Sequence, residues 1–233
     1  MSLCIDMVRV DVWRDMFKRI AIVAATLAAV APMFGAGTAL AAPAVPLGGG
    51  SGIVIDDRVE CTLTTIGRDG GGNLVGLTAG HCGDPGAVVK SETAIGAGPV
   101  GKFVKSNHEL DYAVIQFDGG KVNPINRVGN TTITGIGDPA RFPNIVCKEG
   151  RTTGNTCGLA YGDIFGTNAE TWSQMCVIEG DSGAPVVIGN TLVGMVNAYL
   201  LAACIGPEVG TNLNTILGDI NRLGGLGAGF RPI

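Results

Sequence analysis

The sequence has little charge and few aromatic side chains. Among 233 residues, 15% are charged and 5% are aromatic, and the formal net charge is −4. A surface of that composition offers no basic face, so neither nucleic acid nor anionic lipid is expected as a partner. Apolar residues form 46% of the chain, which is enough to build a sizeable core.

Histidines and metal-binding patterns are also scarce. The chain has two histidines, His81 and His108. It has no Cys-x-x-Cys pair and no cluster of His and Cys at ligand spacing, so we expect no metal, and nothing calls for an organic cofactor. His108 lies in no context typical of a reactive residue and is expected to be a solvated loop residue.

Glycine, by contrast, is abundant and indicates many turns. The chain contains 38 glycines without a Gly-X-Y period, which excludes collagen and favours tight turns between short strands. Helical spacing of apolar residues predicts one helix over 215–223. The fold class is therefore expected to be all-β, a barrel or a sandwich, with a C-terminal helix. The predicted strands are Gly52–Ile55, Glu60–Ile66, Leu74–Leu77, Ala87–Val89, Tyr112–Phe117, Pro185–Ile188 and Thr191–Val196.

The N-terminal region is typical of an export signal. A basic pair precedes an apolar run from residue 20 to about 30, and small residues at Ala39 and Ala41 suit a signal peptidase. We expect a signal peptide over 1–41, with Met16 as an alternative start. The competing interpretation is an uncleaved anchor over 20–42, which is long enough to span a bilayer and is the only case in which membrane contact is expected.

The segment after the expected cleavage site is rich in glycine and proline. Residues 42–52 are therefore predicted to be a flexible linker, and residues 53–233 to form one domain.

Cysteine usage supports export. Of seven cysteines, Cys4 lies in the segment to be removed. The other six can form three disulfides in an oxidising compartment, and by themselves they allow 15 pairings. These six are Cys61, Cys82, Cys147, Cys157, Cys176 and Cys204.

Three residues form a pattern suited to nucleophilic chemistry. Ser182 lies between glycines, in Gly180-Asp181-Ser182-Gly183, and His81 lies 101 residues earlier. A serine hydroxyl needs a neighbouring imidazole to take its proton, and the imidazole needs a carboxylate to orient it. Asp111 precedes an apolar strand and is the candidate carboxylate. The backbone N–H groups of Gly180 and Ser182 would then face a developing oxyanion.

Three segments resemble the signature segments of the chymotrypsin family of serine proteases, in the same order along the chain. They are Thr78-Ala79-Gly80-His81-Cys82, Asp111-Tyr112-Ala113 and Gly180-Asp181-Ser182-Gly183. The likeness covers about residues 52–224. It is closer to the secreted bacterial streptogrisin-type branch, because Cys176 lies six residues before Ser182 and because residues 146–154 resemble the mid-chain segment of that branch.

This resemblance implies two six-stranded antiparallel β-barrels packed together, with the three residues in the cleft between them. It also implies the pairs Cys61–Cys82 and Cys176–Cys204, which leave Cys147 to pair with Cys157. In the bacterial branch an internal basic residue pairs with the aspartate before the serine. Lys148 is the first candidate for a structural ion pair with Asp181, and Arg151 the second.

The expected specificity pocket departs from the family pattern. Gln174 and Met175 precede Cys176 where a trypsin-like enzyme has an aspartate, so a basic substrate side chain is not expected. Asn197, Ala198 and Tyr199 replace the usual Ser-Gly-Gly of the pocket wall. Tyr199 would narrow or block the pocket, which favours small or modest apolar side chains.

The resemblance thus implies an endopeptidase that acts on peptides or proteins through an acyl-enzyme on Ser182. We expect a monomer that is secreted, outside the cell or in the cell envelope of a bacterium. The alternative is a catalytically impaired protein of the same fold that serves as a secreted binding module.

Overall fold

The structure is a computed structural model that describes residues 43–233. The expected signal peptide over 1–41 and the alternative anchor over 20–42 both lie outside the described residues. Within the described part, no helix is long and apolar enough to cross a membrane.

The first half of the fold is an eight-stranded sheet. Its strands are β2 (Gly52–Ile55), β3 (Val59–Thr62), β4 (Thr65–Arg68), β5 (Leu74–Thr78), β6 (Val88–Ser91), β7 (Gly101–Asn107), β8 (Tyr112–Phe117) and β19 (Arg231–Pro232). They are ordered β19-β4-β5-β8-β7-β6-β2-β3, and every pairing is antiparallel. Its curved inner face encloses an apolar cluster that includes Ile53, Leu63 and Phe103.

The second half closes into a barrel. Its strands are β12 (Gly135–Ile136), β13 (Ile145–Gly150), β14 (Gly154–Gly162), β15 (Glu170–Ser173), β16 (Pro185–Ile188), β17 (Thr191–Tyr199) and β18 (Glu208–Asn212). Six of them form a closed ring because β17 pairs with both β16 and β18, and β12 adds to β17 in parallel. Two closed six-stranded barrels were expected; the second is closed, whereas the first is the sheet described above, with β19 and β3 at its edges.

The single α-helix among the described residues, α1 (Leu213–Leu223), follows β18. Its buried residues Leu213, Ile216 and Ile220 pack in a cluster with residues of both sheets, such as Val75 and Leu192. The predicted helix began two residues later. Helical spacing therefore identified part of the buried face: of the four apolar residues that set the period, Ile216 and Ile220 are buried, Leu217 is half-buried and Leu223 is exposed.

The linker predicted over 42–52 is wrong for most of its length. Val45–Leu47 forms a strand, β1, which pairs in parallel with β9 (Val122–Pro124). Leu47 is 1% exposed, and the Gly50 N–H donates to the Leu63 carbonyl at 2.8 Å. The glycines of this segment lie where other segments of the same chain come too close to leave room for a side chain, so these glycines are packed rather than flexible. A short hairpin, β10 (Arg127–Val128) with β11 (Thr131–Thr132), completes the strands.

Candidate active site

His81 lies in a one-turn 3-10 helix, Gly80–Cys82, directly after β5. This turn places the imidazole at the end of the first sheet, where its side chain is 45% exposed. The turn packs tightly against the end of β7: a Cβ added at Gly80 would lie only 2.7 Å from the Asn107 carbonyl oxygen. The imidazole is therefore held by backbone packing yet open to solvent on one side.

Asp111 ends the loop between β7 and β8 and faces His81. The His81 backbone N–H donates to Asp111 Oδ1 at 2.8 Å, and His81 Nδ1 lies 2.8 Å from Oδ2. One carboxylate thus contacts both the backbone and the ring of His81. With Nδ1 bonded to a carboxylate, the ring carries its proton there and leaves Nε2 free to accept one.

Ser182 lies on the opposite side of the imidazole, in the loop before β16. Its Oγ is 2.8 Å from His81 Nε2. Residues of the first sheet hold this loop of the second barrel: the Thr62 N–H donates to the Ser182 carbonyl at 2.8 Å, and Thr64 Oγ1 donates to the Gly183 carbonyl at 2.6 Å. The three side chains therefore form one hydrogen-bonded line across the junction of the two sheets.

The charges in this line support each other. The Asp111 hydrogen bond raises the pKa of His81 above its usual value and outweighs burial, which lowers it. Burial raises the pKa of Asp111, but the hydrogen bonds from the His81 side chain and backbone hold it below its usual value. Asp111 is therefore ionised over the pH range in which His81 titrates, and the pair can carry a proton on the imidazole.

Glycines on both sides of Ser182 shape the loop. Gly180 has φ +91° and Gly183 has φ +84°, in the region that L side chains rarely adopt. A Cβ at Gly183 would lie 2.3 Å from the Thr62 carbonyl oxygen. Among the described residues, the N–H groups of Gly180 and Ser182 donate no hydrogen bond. Two backbone donors beside the serine are thus available to a ligand.

Asp181 points away from the line, into the protein. Its Oδ2 lies 3.4 Å from Lys148 Nζ, and both side chains are 0% exposed. The same carboxylate accepts the N–H groups of Thr152 and Thr153 at 3.0 and 3.1 Å. Arg151, the second candidate, instead pairs with Glu60 and Glu92.

The three disulfides implied by the resemblance are present: Cys61–Cys82, Cys147–Cys157 and Cys176–Cys204. The first joins β3 to the His81 turn, and the third joins the segment before Ser182 to the loop after β17.

Most of the predicted pocket residues have other contacts. Met175 is 2% exposed and belongs to the second barrel's apolar cluster, and the half-buried Tyr199 packs against that cluster. Gln174 Nε2 donates to the Ile205 carbonyl at 2.9 Å, and its Oε1 accepts from the Tyr161 hydroxyl at 3.1 Å. Ala198 is exposed.

Asn197, predicted in the pocket wall, contacts the loop that carries Asp111. Its Nδ2 donates to the Asp111 carbonyl at 2.7 Å. It therefore lies behind the line of three residues and contacts the loop that carries the carboxylate.

A cleft of about 490 Å³ borders the serine and the imidazole. None of the five predicted pocket residues lines it. Its walls are Arg58, Val59, Glu60, Cys61, His81, Arg151, Glu179, Gly180 and Ser182. The cleft lies on the side of the first disulfide and carries charged groups of both signs.

Sequence reasoning missed one buried acid in the second barrel. Glu208 is 1% exposed, is paired in the sheet with Tyr199 and with Ser173, and accepts a hydrogen bond from Ser173 Oγ. Burial raises its pKa to about 8. The run around it carries no motif, so no sequence signal identified it. Over residues 43–233, no group of three or more His, Cys, Asp or Glu side chains could hold a metal ion.

Comparison with known proteins identifies the fold. No protein-family model matches the chain, and neither does any curated protein. Solved structures do match. A Nocardiopsis protease matches with a TM-score of 0.65 and 22% sequence identity, over 76% of this chain and 97% of that one. Thermobifida fusca protease A matches with a TM-score of 0.64 and 22% identity, over 75% of this chain and 96% of that one. A Cellulomonas bogoriensis chymotrypsin matches at 0.62 with 26% identity over 81% and 98% of the two chains. This chain thus has the fold of the bacterial chymotrypsin-like serine proteases.

Proposed function

We propose that this protein is a serine endopeptidase that hydrolyses peptide bonds through an acyl-enzyme on Ser182. The observation that carries the proposal is the hydrogen-bonded line Asp111–His81–Ser182, with 2.8 Å between His81 Nε2 and Ser182 Oγ. Two free backbone N–H groups lie beside the serine, so nucleophile, base, orienting carboxylate and oxyanion donors occur together.

In the acylation step, Ser182 Oγ attacks the substrate carbonyl carbon while His81 Nε2 takes the hydroxyl proton. The electron pair of the carbonyl moves to its oxygen, which the N–H groups of Gly180 and Ser182 stabilise. The C–N bond then breaks, and His81 gives its proton to the leaving amine. Asp111 stabilises the imidazolium between these transfers and stays ionised.

In the deacylation step, water takes the place of the amine. His81 removes a proton from the water, the hydroxide adds to the acyl carbon, and the Ser182 oxygen leaves with the proton that His81 returns. The acid product departs and the free serine is restored.

The substrate preference that we propose is for small or modest apolar side chains rather than basic ones. Gln174 occupies the position at which a basic-specific enzyme carries an aspartate, and its amide is engaged by the loop around Ile205. Met175 and Tyr199 contribute apolar bulk from the barrel core.

We also propose that the mature protein is exported, as a monomer, to the exterior or envelope of a bacterium. Three disulfides support this location, because such bonds persist in oxidising compartments. The proposed role of the Lys148–Asp181 ion pair is to hold the Ser182 loop in its reactive shape.

A fluorophosphonate probe tests the proposed activity. The folded protein should be labelled on one residue, and Ser182→Ala should abolish labelling. His81→Ala should slow it by orders of magnitude, whereas the control His108→Ala should not change it. Absence of labelling in a well-folded wild-type protein would favour the alternative, a non-catalytic binding module.

A further inference from the structure

The loop that carries Asp111 has an unusual backbone. Asp111 has φ +46°, in the left-handed region that non-glycine residues rarely adopt. Such a conformation persists only where its surroundings hold it. The two carbonyl groups at this point of the chain, those of Leu110 and Asp111, both accept hydrogen bonds from side chains of the second barrel.

Asn197 supplies the first of these bonds from a β-bulge. The register of β17 against β18 shifts between Val196 and Ala198, so Asn197 is the extra residue. A bulge re-aims a side chain out of the regular alternation. Here it directs the amide at the Asp111 carbonyl, 2.7 Å from Nδ2.

The orientation of this amide is determined by its other end. Asn197 Oδ1 accepts the backbone N–H of Thr211 at 2.6 Å. A flipped amide would place its NH₂ against that N–H and its oxygen against the Asp111 carbonyl, which makes both contacts repulsive. The side chain can therefore only donate to Asp111.

Thr211 supplies the second bond. Its Oγ1 lies 2.8 Å from the Leu110 carbonyl oxygen and 2.9 Å from Asn197 Oδ1, and the residue is 5% exposed. Thr211 thus braces Asn197 through its backbone and the Asp111 loop through its hydroxyl. Neither residue hydrogen-bonds to His81 or Ser182.

We propose that Asn197 and Thr211 are positioning residues that hold Asp111 in its left-handed conformation and so aim its carboxylate at His81. The inference rests on the proposed function for its effect on rate. Without the two bonds, the backbone at Asp111 relaxes toward negative φ, and the carboxylate loses its simultaneous contacts with the backbone and the ring of His81. The imidazole then loses the partner that raises its pKa.

The variants that test this are Asn197→Ala and Thr211→Val, with Thr211→Ser as the matched control. Valine keeps the shape of threonine but has no hydroxyl, whereas serine keeps the hydroxyl. We expect kcat on a peptide substrate to fall up to roughly 100-fold in the first two variants, with KM changed less than about twofold. Thr211→Ser should keep a kcat close to that of the wild type.

A second readout does not depend on activity. In a Ser182→Ala, His108→Gln background without a polyhistidine tag, His81 is the only histidine, and NMR reports its pKa directly. Asn197→Ala and Thr211→Val should lower that pKa toward the usual histidine value, and Thr211→Ser should not. Thermal unfolding checks that each variant is folded. If Asn197→Ala does not fold, Thr211→Val by itself tests whether these hydrogen bonds maintain the pKa of His81.

An unchanged His81 pKa in folded Thr211→Val overturns the inference. An equal loss of kcat in Thr211→Val and Thr211→Ser also overturns it, because the hydroxyl would then not be the cause. If no variant and no wild-type protein cleaves peptide, the proposed function fails, while the NMR result still decides whether these residues position Asp111.

Discussion

Replacing Glu208 with glutamine should stabilise the protein at neutral pH. Glu208 is fully buried, and its Oε2 has no hydrogen-bond partner among the described residues. Burial raises its pKa to about 8; the Ser173 hydrogen bond and the charge of Lys148 offset only part of this. The folded protein therefore keeps this proton at pH 7, whereas the unfolded chain releases it above its ordinary pKa of 4.5.

The sign and size follow from proton linkage. Between pH 4.5 and 8 the unfolded state binds fewer protons at this site, so the stability of the wild type falls as the pH rises. At pH 7 the span is about two and a half pH units at about 1.4 kcal/mol each, or about 3–3.5 kcal/mol. Glutamine has the same shape, still accepts from Ser173 and does not titrate.

Denaturant unfolding with the disulfides intact measures this. The difference in the free energy of unfolding between Glu208→Gln and the wild type should grow by about 3–3.5 kcal/mol from pH 4 to pH 7 in favour of the variant. Glu109→Gln, at an exposed position, controls for the loss of one carboxylate. A difference that stays constant with pH would refute the argument that Glu208 is held neutral by burial.

Three further predictions concern the site. Lys148→Met should lower the free energy of unfolding by about 3–5 kcal/mol, because it leaves the buried Asp181 carboxylate without its cation. The control Lys90→Met breaks an exposed ion pair and should lower it by less than about 1 kcal/mol. Equal losses in urea titrations would contradict this prediction. The kcat/KM of the wild type should fall as the pH drops through the raised pKa of His81, since the protonated ring cannot accept the serine proton. Asp111→Asn should shift that limb to lower pH and reduce kcat roughly 10⁴-fold, and pH–rate profiles that coincide would show that Asp111 does not set the His81 pKa.

The sequence predicted the strands whose apolar side chains form continuous or alternating runs. The strands Gly52–Ile55, Tyr112–Phe117 and Pro185–Ile188 occur with the predicted bounds. The run 60–66 was predicted as one strand but breaks at residues 63–64, where the chain passes from β3 to β4. That break depends on contacts with residues that are distant along the chain, and the local pattern of apolar residues carries no information about those contacts.

Several strands of the second barrel were not predicted, and buried polar residues explain why. Ile145–Gly150, Glu170–Ser173 and Glu208–Asn212 carry Lys148, Ser173 and Glu208 at buried positions. These residues interrupt the apolar alternation that indicates a strand. Ser173 and Glu208 pair with each other on neighbouring strands, and Lys148 pairs with Asp181; these contacts exist only after folding.

By itself, the sequence identified the candidate catalytic residues, a serine between glycines with a histidine and an aspartate in a recognisable order, and six cysteines available for bridges. These features can be recognised from residue types and short motifs, because the chemistry that requires them does not depend on the fold. The tertiary structure alone decided that residues 45–47 join the fold, that Asn197 contacts the Asp111 loop, and that Glu208 is buried without a full set of partners. Each of these depends on the register of strands far apart in the chain, and a one-residue change in register would turn the same side chains to the opposite face.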